Sequence, residues 1–150
     1  CHAPIFADPV STVKAEKLRP VLGKLHTLKP NRLEAELLSG VLSPTPTAST
    51  VRRRPCWRRD CIGCSSHWEP TRLCCRSERQ CDPARPKAEM VSTTGCGDSF
   101  MAALTWAYLQ GSDLERSARA GLAASSLTME STETIHPAMS ETELLRRMAL

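Results

Sequence analysis

Glu89-Met90-Val91-Ser92-Thr93-Thr94-Gly95-Cys96-Gly97-Asp98-Ser99-Phe100-Met101-Ala102-Ala103-Leu104 is the stretch on which the reading of the fold depends. Residues 89–93 read as a strand, and Phe100, Ala103, Leu104, Ala107 and Tyr108 recur at helical spacing. A strand is therefore expected to pass through a glycine-containing turn directly into a helix N-terminus. Such a turn offers successive backbone N–H groups backed by the positive end of the helix dipole, which suits charge developing on a transferring phosphoryl group. Its glycines let a ligand approach the backbone with no Cβ in the way. Asp98, read as lying one residue into the helix, is placed to take a proton from an attacking hydroxyl. A glycine turn with an acid complementing the dipole explains the same spacing equally well. No Lys follows the glycines, so the Walker phosphate loop is excluded by its own pattern.

Upstream, residues 3–10 form a short apolar run closed by Asp8-Pro9, the mark of a buried strand ending in a turn. Val13, Leu18, Val21, Leu22 and Leu25 fit a helix over 12–25, with Pro20 predicting a kink or break. Residues 26–29 read as a second strand, stopped by Pro30. Asn31 is a plausible N-cap with Glu34 in the capping-box position, Leu33, Leu37 and Leu38 make an apolar face, and Gly40 ends that helix. Downstream, Asp113 and Ser140 each cap a further helix. Short apolar strands alternating with helices predict an α/β fold with a mostly parallel sheet.

The middle of the chain breaks this pattern. Six of the eight cysteines fall between Cys56 and Cys81, and residues 43–87 hold ten of the twenty Lys and Arg but four of the sixteen acids. That segment carries +6 and leaves the remainder at −2, so the net charge of +4 does not describe the protein as a whole. Prolines interrupt it throughout, and neither strand nor helix period fits. At 150 residues the chain suits one domain. No apolar run approaches the twenty residues of a membrane span. It opens on Cys1 without a basic-then-apolar leader and reads as a processed product or a piece of something longer.

Two motifs in order carry a resemblance. Residues 93–104, from Thr93-Thr94-Gly95-Cys96-Gly97-Asp98 onward, resemble the C-terminal signature of the ribokinase-like (PfkB-type) carbohydrate and nucleoside kinases. Lys29-Pro30-Asn31-Arg32-Leu33-Glu34 is similar to the Asn-x-x-Glu element of the same family, and the wording of 8–11, 26–40 and 131–141 is closest to its pseudouridine kinase branch. The resemblance implies a three-layer αβα fold, present here in part, and transfer of the γ-phosphate of ATP to a sugar or nucleoside hydroxyl. It implies that Asp98 is the base and that the amides of Gly95, Cys96 and Gly97 form the anion hole. Asn31 and Glu34 would act on Mg²⁺ and the phosphates through water, as a hard cation that keeps its waters requires. Residues 122–126 and 134–137 would border the adenine pocket. ATP and Mg²⁺ are the implied cofactors and a nucleoside or sugar the implied partner, with no membrane or nucleic acid expected and a cytoplasmic setting.

Departures shape the expectation further. Ser92 stands where many family members carry an Asp that serves a monovalent-cation site. The family's N-terminal, sugar-binding portion and its β-lid are not supplied by this sequence, so the chain is expected to be weak or inactive by itself. Three parts are expected: 1–42 and 90–150 ribokinase-like, and 43–89 non-homologous, poorly ordered, and of the kind a shifted reading frame produces. Other readings of 43–89 are a zinc site on Cys61-x2-Cys64, His67, Cys74, Cys75 and Cys81, or a nucleic-acid patch on its arginines with Trp57.

Overall fold

A computed structural model describes residues 3–40, 73–74, 80–81 and 88–149. The chain divides into two units, Cys1–Asp82 and Pro83–Leu150.

In the first unit, β1 (Phe6–Ala7) lies parallel to β2 (Thr27–Leu28), with Phe6 opposite Thr27 and Ala7 opposite Leu28. The crossover between them is α1 (Thr12–Lys17) followed by a 3₁₀ helix (Arg19–Lys24). Pro20 has no N–H to donate and cannot continue an α-helix, so the run expected over 12–25 divides at Leu18. The side chain of Ser11 caps α1, accepting from the Lys14 N–H. Ala15, Leu25, Leu28 and Leu38 form the core of the unit, with Ala7, Leu18, Leu22 and Leu37 packed against it. Ahead of α1 the chain reverses sharply. Ser11 N–H donates to the Pro9 carbonyl at 2.7 Å, and Val10 takes φ 66°, uncommon for a β-branched residue. The Asp8 carboxylate secures this turn from both sides, accepting from Val10 N–H at 3.0 Å and pairing with Lys29 at 2.7 Å.

Helix α2 (Arg32–Ser39) follows β2 and ends at Gly40 in the left-handed conformation, as its sequence predicts. Its inward face differs from the expected one: Glu34 is buried and Leu33 is exposed. Two further strands, β3 (Leu73–Cys74) and β4 (Gln80–Cys81), pair antiparallel. The rest of the cysteine-rich segment up to residue 87 lies outside the described residues.

The second unit is built from α3 (Cys96–Leu109), α4 (Leu114–Met129) and α5 (Glu141–Met148). Ala103 and Ala107 of α3 meet Ala120, Ala123 and Ala124 of α4, and Leu144 of α5 closes the cluster. Small residues on both helices leave little between them, and at Gly121 a Cβ would come within 2.5 Å of the Phe100 ring. Asp113 and Ser140 cap α4 and α5 as expected. Arg147 of α5 pairs with Glu130 at the end of α4, holding the Glu130 carboxyl below the usual carboxylate range. Residues 89–93 do not pair as a strand among the described residues. The amides of Val91 and Ser92 both donate instead to the Met129 carbonyl, at 2.9 and 3.1 Å, so this segment is tied to the end of α4. The fold is thus α/β, with one parallel pair among the described residues, joined by a helical crossover and followed by further helices. No described helix is long and apolar enough to cross a membrane.

Candidate active site

The glycine turn opens α3 without a side-chain cap. Gly95 is its N-cap at φ 81°, a conformation that costs a residue with a Cβ about 1–2 kcal/mol. A Cβ at this position would also lie 2.3 Å from the Thr134 carbonyl oxygen, so glycine is required on two grounds. Within the turn, Thr94 N–H donates to Ser92 Oγ at 3.2 Å and Cys96 N–H reaches the Thr93 carbonyl at 3.4 Å, a long bond. The amides of Gly97 and Asp98 have no hydrogen-bond partner among the described residues, as the first turn of a helix leaves them. Asp98 is the third residue of α3, deeper than its expected place, and its exposed carboxylate has no hydrogen bond or ion pair among the described residues. Free donors and a free carboxylate therefore share one helical turn.

Behind the turn the contacts are close. The side chain of Cys96 is buried, its thiol 3.8 Å from the Ser92 carbonyl, and burial pushes the thiol up from its ordinary pKa. Ser125 Oγ donates to the Cys96 carbonyl at 2.7 Å, and Thr128 Oγ1 donates to Ser99 Oγ at 2.7 Å. Sequence reasoning did not single out Ser125 or Thr128. The available signal was their spacing with Gly121, four and then three residues apart on one face of α4. Of the segments expected to border adenine, 122–126 lies within α4, with Ala123 and Ala124 in its core, and Thr134 of 134–137 is the residue against Gly95.

In the first unit, Asn31 and Glu34 form a reciprocal capping box. Asn31 Oδ1 accepts from Glu34 N–H at 3.0 Å, and Glu34 Oε2 accepts from Asn31 N–H at 2.8 Å. Capping is thus real, and it uses only one oxygen of the Glu34 carboxylate. Glu34 Oε1 is buried with no hydrogen-bond partner among the described residues. A buried carboxylate oxygen left without a donor fits a hard cation or a water held by one.

Two other places bear on the site by contrast. A groove lined by Asp113, Arg116, Arg119, Leu145 and Met148 sits at the far end of α4. At 1.5 Å per residue it is about 18 Å along the helix from Thr128. Among the described residues no three His, Cys, Asp or Glu side chains are placed to hold a metal ion. Cys56, Cys61, Cys64, His67 and Cys75 lie outside those residues.

The sequence pattern of the pfkB family carbohydrate kinases matches residues 69–142, a range that contains the whole turn and begins inside the cysteine-rich segment. The chain is 32% identical over 143 residues to the pseudouridine kinase of Escherichia coli K12, covering 93% of this chain and 45% of that protein. Both matches point to the pfkB family of carbohydrate kinases. Solved structures of the family carry the same fold. A nucleoside kinase of Methanocaldococcus jannaschii superposes with a TM-score of 0.78 at 20% identity, over 97% of this chain and 48% of that one. The ribokinase of Arabidopsis thaliana gives 0.74 at 22%, over 99% and 48%. The chain spans about half the length, or less, of the curated pfkB kinases it matches.

Proposed function

We propose that the turn at 95–98 is the phosphoryl-transfer site of an ATP-dependent kinase acting on a sugar or nucleoside hydroxyl, with pseudouridine the leading acceptor and its 5′-phosphate the product. The observation that carries the reading is that, among the described residues, the Gly97 and Asp98 amides and the Asp98 carboxylate are all without partners at one helix N-terminus. Catalysis of this kind is positioning and electrostatics. Of the Gly95, Cys96 and Gly97 amides that the motif offers as an anion hole, that of Gly97 is without a partner among the described residues, and with the Asp98 N–H it meets the oxygens of the transferring group, where negative charge grows. Asp98 accepts the proton of the attacking hydroxyl. Bound Mg²⁺ supplies charge neutralisation at the phosphates. Asn31 and Glu34 would hold it through water, Glu34 with the oxygen its cap leaves over. The pseudouridine kinase relative supports the choice of acceptor.

The test is transfer of labelled phosphate from γ-labelled ATP to pseudouridine, with uridine and ribose alongside. Transfer by this chain alone is expected to be weak, with label on pseudouridine in preference to the others, and Asp98→Asn is expected to lower that rate at least about 100-fold. Equal labelling of all three acceptors would remove the pseudouridine assignment. Transfer that survives Asp98→Asn unchanged would remove Asp98 as the base.

A further inference from the structure

We propose that Ser125 is a positioning residue for the Gly97 N–H, a donor of the turn that has no partner among the described residues. This rests on the phosphoryl-transfer reading of the same site. Ser125 Oγ donates to the Cys96 carbonyl at 2.7 Å, from a helix twenty-nine residues further along the chain. The Cys96 carbonyl and the Gly97 N–H are opposite ends of one planar trans peptide, so a bond that fixes the direction of the first fixes the second. A carbonyl oxygen accepts two hydrogen bonds, and in α3 the helix uses only one. The hydroxyl takes the other. Hydrogen bonds in series polarise one another, so donation to the carbonyl also strengthens the N–H as a donor toward an anion.

The local sequence gives this peptide little stiffness of its own, since glycine stands on both sides of Cys96 and is the residue with the most backbone freedom. Its orientation must come from outside the turn, and α4 supplies it. Gly121, Ser125 and Thr128 lie on one face of α4. Gly121 receives the Phe100 ring, Ser125 the Cys96 carbonyl and Thr128 the Ser99 hydroxyl. Ser117, two turns earlier on α4, spends its hydroxyl on the Asp113 carbonyl of its own helix cap at 2.7 Å and gives a matched control.

The experiment follows the Gly97 backbone amide by ¹⁵N–¹H spectroscopy in the full chain while inorganic phosphate is titrated in. Ser125→Ala is expected to shift the Gly97 resonance and to raise the half-saturating phosphate concentration about fivefold, the effect of one hydrogen bond. Ser125→Thr restores both, and Ser117→Ala leaves both unchanged. Should Ser125→Ala not fold, the near-isosteric Ser125→Cys, a weak donor, carries the same comparison. An unmoved Gly97 resonance with unchanged phosphate saturation in the Ser125 variant overturns the inference alone, as does an equal effect from Ser117→Ala. A turn that ignores phosphate in the unsubstituted chain overturns the phosphoryl-transfer reading and this inference with it.

Discussion

Helices α2 and α3 each carry an acid three residues past the N-cap, and they use it in opposite ways. In α2 the cap is Asn31 in extended conformation, and Glu34 folds back to accept from the Asn31 N–H. In α3 the cap is Gly95 in the left-handed region, which has no side chain to offer, and Asp98 remains exposed. Aspartate is one methylene shorter than glutamate, so the same position serves the reach-back bond less well. One helix start is closed by its own side chains and the other is left open to a ligand. The lesson is that an acid at the third helical position takes its role from the residue at the cap.

Substitutions at the two helix-flanking glycines break this comparison most severely. Gly95→Ala meets both a left-handed backbone and the Thr134 carbonyl, and is expected to cost about 3 kcal/mol in urea unfolding. Gly40→Ala, at φ 68° with nothing within 4 Å, is expected to cost about 1 kcal/mol. Equal losses would show that Thr134 plays no part in holding the open terminus. Next come the two acids themselves. Glu34→Ala should lower stability by about 1 kcal/mol through loss of the capping box. Asp98→Ala should change stability by no more than about 0.5 kcal/mol, because its side chain holds nothing among the described residues. A reversal of that order would undo the contrast between closed and open ends.

The frame behind the open end gives a pH test. The Arg147 guanidinium lowers the Glu130 carboxyl below its ordinary value, so folding binds fewer protons there than unfolding does. That contribution is complete above the ordinary carboxylate range and disappears as pH falls through the lowered folded value. Arg147→Leu is expected to remove about 1 kcal/mol at pH 7 and to flatten the fall in Tm between neutral and acid pH. An acid limb that keeps its slope would place the pH dependence elsewhere. The smallest effect concerns Cys96. Burial keeps its thiol protonated, so at pH 8 its alkylation, followed by peptide mapping, should be slow until the chain is unfolded. Rapid alkylation of the folded chain would mean that the back of the turn is open.

Much of this was legible in the sequence because capping is local. Asn31 with Glu34, Asp113, Ser140 and Gly40 act where their spacing places them, and Pro20 divides its helix for a covalent reason. The α/β class followed from short apolar runs between helices, and β1 and β2 are indeed parallel. What spacing could not give is long-range. Residues 89–93 have strand composition, yet the amides of Val91 and Ser92 go to Met129, 38 and 37 residues away, a contact more decisive than propensity. Leu33 and Glu34 exchange the expected sides because the capping box and burial act on the same side chain. The site divides along the same line. Gly95, Cys96, Gly97 and Asp98 stand in one legible motif, whereas Ser125 and Thr128 reach it from another helix.

The Phe100 ring occupies the space that the missing Cβ of Gly121 leaves open, within a seam of alanines that has no slack. In terms of sequence drift, these two positions are not independent letters. A methyl group gained at 121 must be matched by lost volume at 100, and the change at 121 falls on the helix that also carries Ser125. Descendants of this chain can therefore vary that pair only by moving both members, and the turn that Ser125 touches limits which pairs succeed.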